Sequence, residues 1–171
     1  MMRLRWGLPA GWAIASRPVD AVPGLAAHCH ALCEHAGLMD RDPRTFSLYG
    51  SALRAHWTDE PWREVDVAPG DDPEALVSAA DFTVCQAAVH DGRLYHGPRF
   101  LDHVARRALA VHRVDSRRPL VTLLRMYKFA ARGYAVPVAE LYRVLDAVCR
   151  VPADGLSPAE VLRHRGGVVL P

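Results

Sequence analysis

The sequence has little lysine and no Cys-x-x-Cys pair. Lys128 is the single lysine among 21 basic residues, and the net charge of the chain is only +2. This balance is too slight to indicate a dedicated nucleic-acid-binding protein, which normally carries a concentrated basic stripe. The absence of a Cys-x-x-Cys spacing fits reduced thiols in the cytoplasm better than a disulfide framework. The cysteines are Cys29, Cys33, Cys85 and Cys149.

Long hydrophobic runs and several catalytic motifs are also missing. Residues 1–12 carry two arginines but are broken by glycine and proline, so we expect neither a signal peptide nor a membrane span there. No Walker loop, dinucleotide-binding fingerprint or Ser-His-Asp order is visible, which leaves ATPase chemistry and nucleophilic catalysis without support. We therefore predict a cytoplasmic protein with no membrane partner, whose oligomeric state the sequence leaves open.

What remains is the composition of a globular domain. Half of the 171 residues are hydrophobic and 23% are charged, a profile typical of a soluble fold with its own core. Apolar spacing predicts both strands and helices, with a tight hairpin at Asp91-Gly92. The predicted strands cover residues 45–49, 63–67 and 82–90, and the predicted helices cover 25–37, 52–57, 99–107, 119–132, 138–150 and a short segment from 157. In the helix over 119–132 the positions predicted to be buried are Leu120, Leu124, Tyr127 and Ala131.

These elements predict an α/β (α+β) fold. We expect a small mixed sheet with flanking helices, followed by a C-terminal helical neck. The predicted division places a head with an N-terminal helix over residues 1–115 and the neck over 116–171, the two packed as one compact unit.

The best candidate site is a small-residue turn followed by two acidic residues. Gly50-Ser51 closes a predicted strand, and Glu64 and Asp66 occupy alternate positions of the next one. Alternation puts both acids on one face, where they could hold a divalent cation beside a phosphate. The helix that starts at the turn also offers free backbone N–H groups to a phosphate or carboxylate. The alternative is that Ser51 is an ordinary helix N-cap and that the acids are solvated.

A second stretch of the chain carries a family resemblance. An Asp-Phe-Thr segment at 81–83 is followed by the Asp-Gly hairpin, by Arg-Arg-x-Leu at 106–109 and by Leu-Arg-x-x-x-Phe-Ala-Ala-Arg at 124–132. This order resembles the head and neck of the nucleotidyltransferase superfamily branch that contains CCA-adding enzymes and bacterial poly(A) polymerases. The likeness extends from Phe46 to about Leu145.

The resemblance implies a nucleotidyltransferase-like fold in which the Gly-Ser turn faces a metal-binding acidic pair. By this likeness Glu64 and Asp66 are catalytic residues and metal ligands, and Asp81 is a third catalytic acid. The likeness also implies that the cations of the neck helix face a nucleotide. The ligand-binding residues predicted in this way are Gly50, Ser51, Arg54, Arg125, Lys128 and Arg132.

The chain departs from the family pattern at three places. Arg54 is followed by alanine where the family has aspartate, and Asp81 is preceded by two alanines where the family has two arginines. The Glu-Asp-x-x-Arg motif that selects the nucleotide in the family would overlie residues 118–122, and its acids and arginine are absent. We therefore do not expect base selection of the CCA-adding kind.

Three functional hypotheses follow. The first is an enzyme dependent on Mg²⁺ or Mn²⁺ that acts on a nucleotide or nucleoside-like small molecule, by nucleotidyl transfer if the ancestral chemistry is kept. In the second, His56 joins Glu64 and Asp66 as a metal ligand; because imidazole favours transition metals, this set would suit Fe²⁺ and a mononuclear non-haem iron oxygenase. The third is a degenerate binding module without catalysis.

Overall fold

The computed structural model describes residues 12–115 and 118–150. These residues form a mixed α/β fold with five strands and six α-helices. The strands are β1 (Ala15–Pro18), β2 (Phe46–Tyr49), β3 (Asp66–Pro69), β4 (Ala87–His90) and β5 (Arg93–His96). The helices are α1 (Leu25–His35), α2 (Gly50–Arg54), α3 (Pro73–Ala79), α4 (Phe100–Ala105), α5 (Pro119–Ala131) and α6 (Val138–Cys149). Of the helices in these ranges, none is both long enough and apolar enough to cross a membrane.

The five strands form one sheet in the order β1-β5-β4-β2-β3, and every neighbouring pair in it is antiparallel. The prediction of a mixed sheet is therefore corrected. Periodicity along a strand reports which face is buried but not the direction of the neighbouring strand. The order places β2 in the interior of the sheet, so the end of β2 lies beside both β3 and β4.

The hairpin between β4 and β5 forms where the sequence predicts it. Asp91 and Gly92 both have positive φ angles, of 45° and 69°. This is the backbone of a type I′ turn, whose twist matches that of the two strands it joins. The Asp-Gly pair therefore sets the register in which Val89 lies opposite Leu94.

Several element boundaries differ from the predictions. Strand β3 begins at Asp66, so Glu64 lies outside the strand in an exposed segment. The predicted strand over 82–90 is interrupted by a 3-10 turn over Thr83–Cys85, and only its second half forms β4. The short edge strand β1 and helix α3 were not predicted; α3 starts in a loop-like Asp-Asp-Pro sequence that supplies an N-cap, because the Asp72 carboxylate accepts from the Ala75 N–H.

Helix α5 buries a different face from the predicted one. None of the four predicted positions is buried, and Tyr127 is 47% exposed. The buried residues of α5 are Pro119, Thr122, Met126 and Phe129. Both sets have helical spacing, and aromatic partners decide between them: Phe129 packs edge-to-face on Phe82 and Tyr134, with ring centroids 5.4 and 5.1 Å apart.

One hydrophobic core joins the sheet to helices on both sides of the predicted domain boundary. Leu48, Phe82 and Phe100 belong to the same buried cluster as Met126 and Val144. The parts of the predicted head and neck that the structure describes therefore share a single core, and α5 is fixed against the sheet at the end where the candidate site lies.

Candidate functional site

A cleft with a volume of about 590 Å³ lies where the ends of β2 and β3 meet α2, α3 and α5. All six predicted ligand-binding residues line it, together with Asp66 and Asp81. The lining carries five basic and three acidic side chains, which are Arg54, Arg118, Arg125, Lys128, Arg132, Asp66, Asp81 and Asp115. The cleft is therefore a predominantly cationic environment that also contains carboxylates.

Asp66 lies directly against the Gly-Ser turn. The pairing of β2 with β3 puts Asp66 opposite Tyr49, and the Asp66 carboxylate lies close enough to the backbone N–H of Ser51 for that group to act on its pKa. Gly50 has a φ of 78°, and a Cβ atom there would overlap Asp66 Oδ2. Burial raises the pKa of Asp66, although the Ser51 N–H and the charge of Arg125 oppose that shift. The turn thus has a carboxylate packed against it, in the place where we expected a phosphate to approach the backbone.

Asp81 is held in an ion pair at the wall of the cleft. Its Oδ2 atom lies 2.8 Å from the Arg125 guanidinium, and the side chain is only 13% exposed. Burial raises the pKa of Asp81, and the Arg125 charge acts in the opposite direction. Asp81 therefore reaches the cleft, but as the partner of a cation.

A buried charge network connects the floor of the cleft to the interior. Arg54 is 3% exposed and donates to Glu60 Oε2 at 3.1 Å, while its guanidinium stacks on Phe129 at 4.9 Å from the ring centroid. Arg132 also contacts Glu60 Oε2, at 3.5 Å, and the hydroxyl of Tyr134 donates to Glu60 Oε1 at 2.5 Å. One buried carboxylate thus orients two arginines and a tyrosine.

The protonation states in this network follow from its contacts. Burial acts to raise the pKa of Glu60, but the Tyr134 hydrogen bond and the charge of Arg54 outweigh it and lower the pKa. Burial likewise acts to lower the pKa of Arg54, but the nearby Cys85 and Glu60 outweigh it and raise the pKa. Glu60 is therefore an anion and Arg54 a cation at neutral pH.

Glu60 was not predicted from the sequence. It follows an aspartate and precedes a proline, in a stretch without apolar periodicity that reads as a solvated loop. Its importance comes from contacts with Tyr134 and Arg132, which lie more than 70 positions away in the chain. A local pattern carries no signal for such contacts.

Cys85 lies between two of the cleft arginines. Its Sγ atom is 3.9 Å from Nη1 of Arg54 and 3.6 Å from Nη2 of Arg125. Burial raises the pKa of the Cys85 thiol, with the two guanidinium charges opposing the shift. The sulfur is therefore a weak acceptor that the two arginines share.

Two predicted metal ligands are not brought to this cleft. His56 follows the end of α2 and packs on His28 and Trp57, with ring centroids 5.4 and 4.8 Å apart. Glu64 is exposed, because the strand that was expected to hold it begins two residues later. Neither residue lines the cleft, so the predicted set of His56, Glu64 and Asp66 is not assembled.

The chemistry of the remaining donors limits which metal the cleft suits. Within residues 12–115 and 118–150, no group of three or more His, Cys, Asp or Glu side chains could hold a metal ion. The carboxylates at the cleft are oxygen donors, and no histidine of those ranges lines it. This donor set does not fit the iron centre of the second hypothesis, because imidazole ligands are lacking and oxygen donors are the kind that Mg²⁺ prefers.

The chain was also compared with known proteins, and no protein-family model, curated protein or solved structure matches it. Its function is therefore argued from the cleft itself.

Proposed function

We propose that this protein binds a phosphorylated nucleotide or nucleoside-like small molecule in the cleft, on a nucleotidyltransferase-like scaffold. The observation that carries the proposal is that the predicted site residues converge on a single cleft. The Gly50-Ser51 turn, Asp66, Asp81 and the basic residues of α5 are far apart in sequence, yet all line one cleft.

The size and charge of the cleft support this class of ligand. Its volume of about 590 Å³ lies within the range of roughly 300–1,000 Å³ that is usual for small-molecule sites. Apolar side chains from β2, α3 and α5, namely Tyr49, Leu76, Val121 and Phe129, lie alongside the charges. A ligand with an anionic end and a flatter, less polar end would find partners for both.

Nucleotidyl transfer is the reaction that we propose if the cleft is catalytic. Mg²⁺ or Mn²⁺, when bound with the nucleotide, would neutralise charge on the transferred group. In this chain Asp66 and Asp81 are the residues that would hold the ion. The cations of α5 would orient the phosphates, and Asp66, packed against Gly50, would keep its carboxylate at the turn.

One observation favours a second function, a binding module without transfer. Asp81 is paired with Arg125 at 2.8 Å, so one of the two carboxylates is neutralised by the protein's own cation. Such a module would bind the same ligand but leave it unchanged.

Nucleotide titration by calorimetry, with Mg²⁺ present, tests the proposal. We expect saturable binding to the wild-type chain and about tenfold weaker binding to Lys128→Glu, which corresponds to about 1.4 kcal/mol, because a reversed charge in the cleft repels phosphate. Arg106→Glu is the matched control, since Arg106 is 74% exposed and does not line the cleft.

The outcomes of this titration are distinct. Absence of saturable binding, or equal weakening in both variants, would overturn the proposal. If the nucleotide binds, the mixture is supplied with hydroxyl acceptors and analysed for released pyrophosphate. Release, as the nucleotidyl group passes to an acceptor hydroxyl or to water, indicates transfer or hydrolysis, and a nucleotide that stays intact with every acceptor indicates the binding module.

A further inference from the structure

We infer that the phosphate of the ligand is bound at the floor of the cleft by the guanidinium groups of Arg54, Arg125 and Arg132, rather than at the Gly50-Ser51 turn. The inference rests on the proposed function and deepens it, because it assigns the anionic end of the ligand to a subsite. It also says that this subsite binds an oxyanion without a metal.

The three guanidinium groups are already gathered around shared acceptors. Arg54 and Arg132 both contact Oε2 of Glu60, at 3.1 and 3.5 Å. Arg54 and Arg125 both direct nitrogen atoms to Sγ of Cys85, at 3.9 and 3.6 Å. Groups that can share a single acceptor atom are close enough to share the several oxygens of one phosphate.

Arg54 retains an unused donor at this place. Its Nε atom is buried and has no hydrogen-bond partner among the described residues, although the side chain is only 3% exposed and lines the cleft. A buried donor without a partner is costly and uncommon in native proteins. An oxyanion on the floor of the cleft would accept from it once the Arg54 guanidinium turns toward the ligand.

The charges at the two candidate phosphate positions, the floor of the cleft and the Gly50-Ser51 turn, also favour the floor. The five basic side chains of the cleft outnumber the carboxylates of Asp66, Asp81, Asp115 and Glu60 by one, and three of those five are the guanidinium groups at the floor. At the turn, the Asp66 carboxylate lies directly against Gly50, and its negative charge would repel a phosphate. The floor therefore attracts an oxyanion and the turn does not.

Guanidinium groups also define the class of ligand. Their planar forks match the oxygens of phosphate in paired hydrogen bonds, and they remain charged at every physiological pH. The subsite is thus suited to a terminal phosphate or a polyphosphate chain, and it does not depend on the nucleoside that carries it.

Titration of inorganic tripolyphosphate into the full chain, in EDTA, tests the subsite by calorimetry. We expect saturable binding without metal, and about tenfold weaker binding to Arg132→Ala. Arg132→Lys should recover only part of that loss, because the charge is restored without the fork. Arg44→Ala removes an equally positive side chain that is 72% exposed and is paired with Asp42 outside the cleft, and it should leave the affinity unchanged.

Arg132 is chosen because its side chain is 44% exposed, and Glu60 keeps Arg54 and Tyr134 as partners when it is removed. Arg54→Ala would leave the buried Glu60 carboxylate without the Arg54 cation and could unfold the chain. We therefore use Arg54→Lys at this position and expect a loss of affinity for tripolyphosphate. The thermal melting temperature of each variant confirms that it is folded.

The results separate this inference from the proposed function. Tripolyphosphate binding that Arg132→Ala and Arg54→Lys leave unchanged, or binding that appears only when Mg²⁺ is added, would overturn the subsite even if nucleotides bind. Tripolyphosphate binding that these variants weaken would establish the subsite even if no nucleotide binds, in which case the proposed function fails alone.

Discussion

At the scale of single residues, Gly50 is the position where backbone conformation and the candidate site meet. Its φ of 78° lies in the left-handed region, and the Asp66 carboxylate occupies the space where a Cβ would stand. Glycine is needed here for two separate reasons, one conformational and one steric. The turn can bring Asp66 to the Ser51 N–H only because no side chain intervenes.

We predict that Gly50→Ala lowers the free energy of unfolding by about 3 kcal/mol. Left-handed backbone costs a side chain about 1–2 kcal/mol, and overlap with a packed neighbour costs about 1–3 kcal/mol more. Urea unfolding followed by tryptophan fluorescence measures the loss. Gly37→Ala is the matched control, since Gly37 has a φ of 66° but no atom within 4 Å of the added Cβ, and it should lose only about 1 kcal/mol. Equal losses would contradict the close approach of Asp66.

The sequence was most informative for residues whose role is local. Gly50, Ser51 and Asp66 could be placed near one another because a strand, a turn and a strand follow in order. Glu64 was placed with them only by assuming that the strand began earlier than it does. Glu60 could not be foreseen, because it depends on contacts with Arg132 and Tyr134 after α5. The orientation of Arg54 could not be foreseen either, because it depends on Glu60 and on Phe129 of α5.

At the scale of elements, Glu60 is the residue that ties α2 to the end of α5. It accepts from Arg54 on α2, and from Arg132 and Tyr134 just beyond α5. Since these contacts position two cleft arginines, the stability of the network and the shape of the cleft are linked.

We predict that Tyr134→Phe lowers the free energy of unfolding at pH 7 by about 2 kcal/mol, because a hydrogen bond to a buried charged group is lost. The lowered pKa of Glu60 contributes stability that is present above its unfolded-state pKa and is lost as the pH falls through the folded-state value. The Tyr134 hydrogen bond causes part of that lowering, so the variant should also lose less stability between pH 7 and pH 3 than the wild type.

Chemical denaturation at both pH values measures this difference, with Tyr142→Phe as the control. Tyr142 is 69% exposed, and its variant should match the wild type at each pH. A Tyr134→Phe chain that keeps the wild-type stability at pH 7 would show that the bond to Glu60 contributes nothing.

The elements show how far periodicity can be used. Helices α1, α4, α5 and α6 lie where apolar spacing predicts them, and the Asp-Gly pair predicts its hairpin. The prediction of which face of α5 is buried was wrong, because a stripe of leucines competes with a second stripe that contains Met126 and Phe129. Aromatic packing on Phe82 decides between the two stripes, and that is a tertiary effect.

At the scale of the whole molecule, the antiparallel sheet and α5 form one core that places the charged face of α5 over the ends of β2 and β3. An α/β class with one compact core could be predicted from composition and spacing. Strand order and direction could not, because they are set by pairing between distant segments. The excess of positive charge in the cleft is also a property of the assembled fold, since the net charge of the chain is only +2.

A crystal structure of the full chain with a non-hydrolysable nucleoside triphosphate and Mg²⁺ would show which groups of the cleft bind the phosphates. We predict a nucleotide in the cleft whose phosphates accept from Arg54, Arg125 and Arg132, while the Asp66 carboxylate stays against the Gly50-Ser51 turn. A nucleotide bound outside this cleft, or phosphates that displace Asp66 from the Gly50-Ser51 turn, would contradict it.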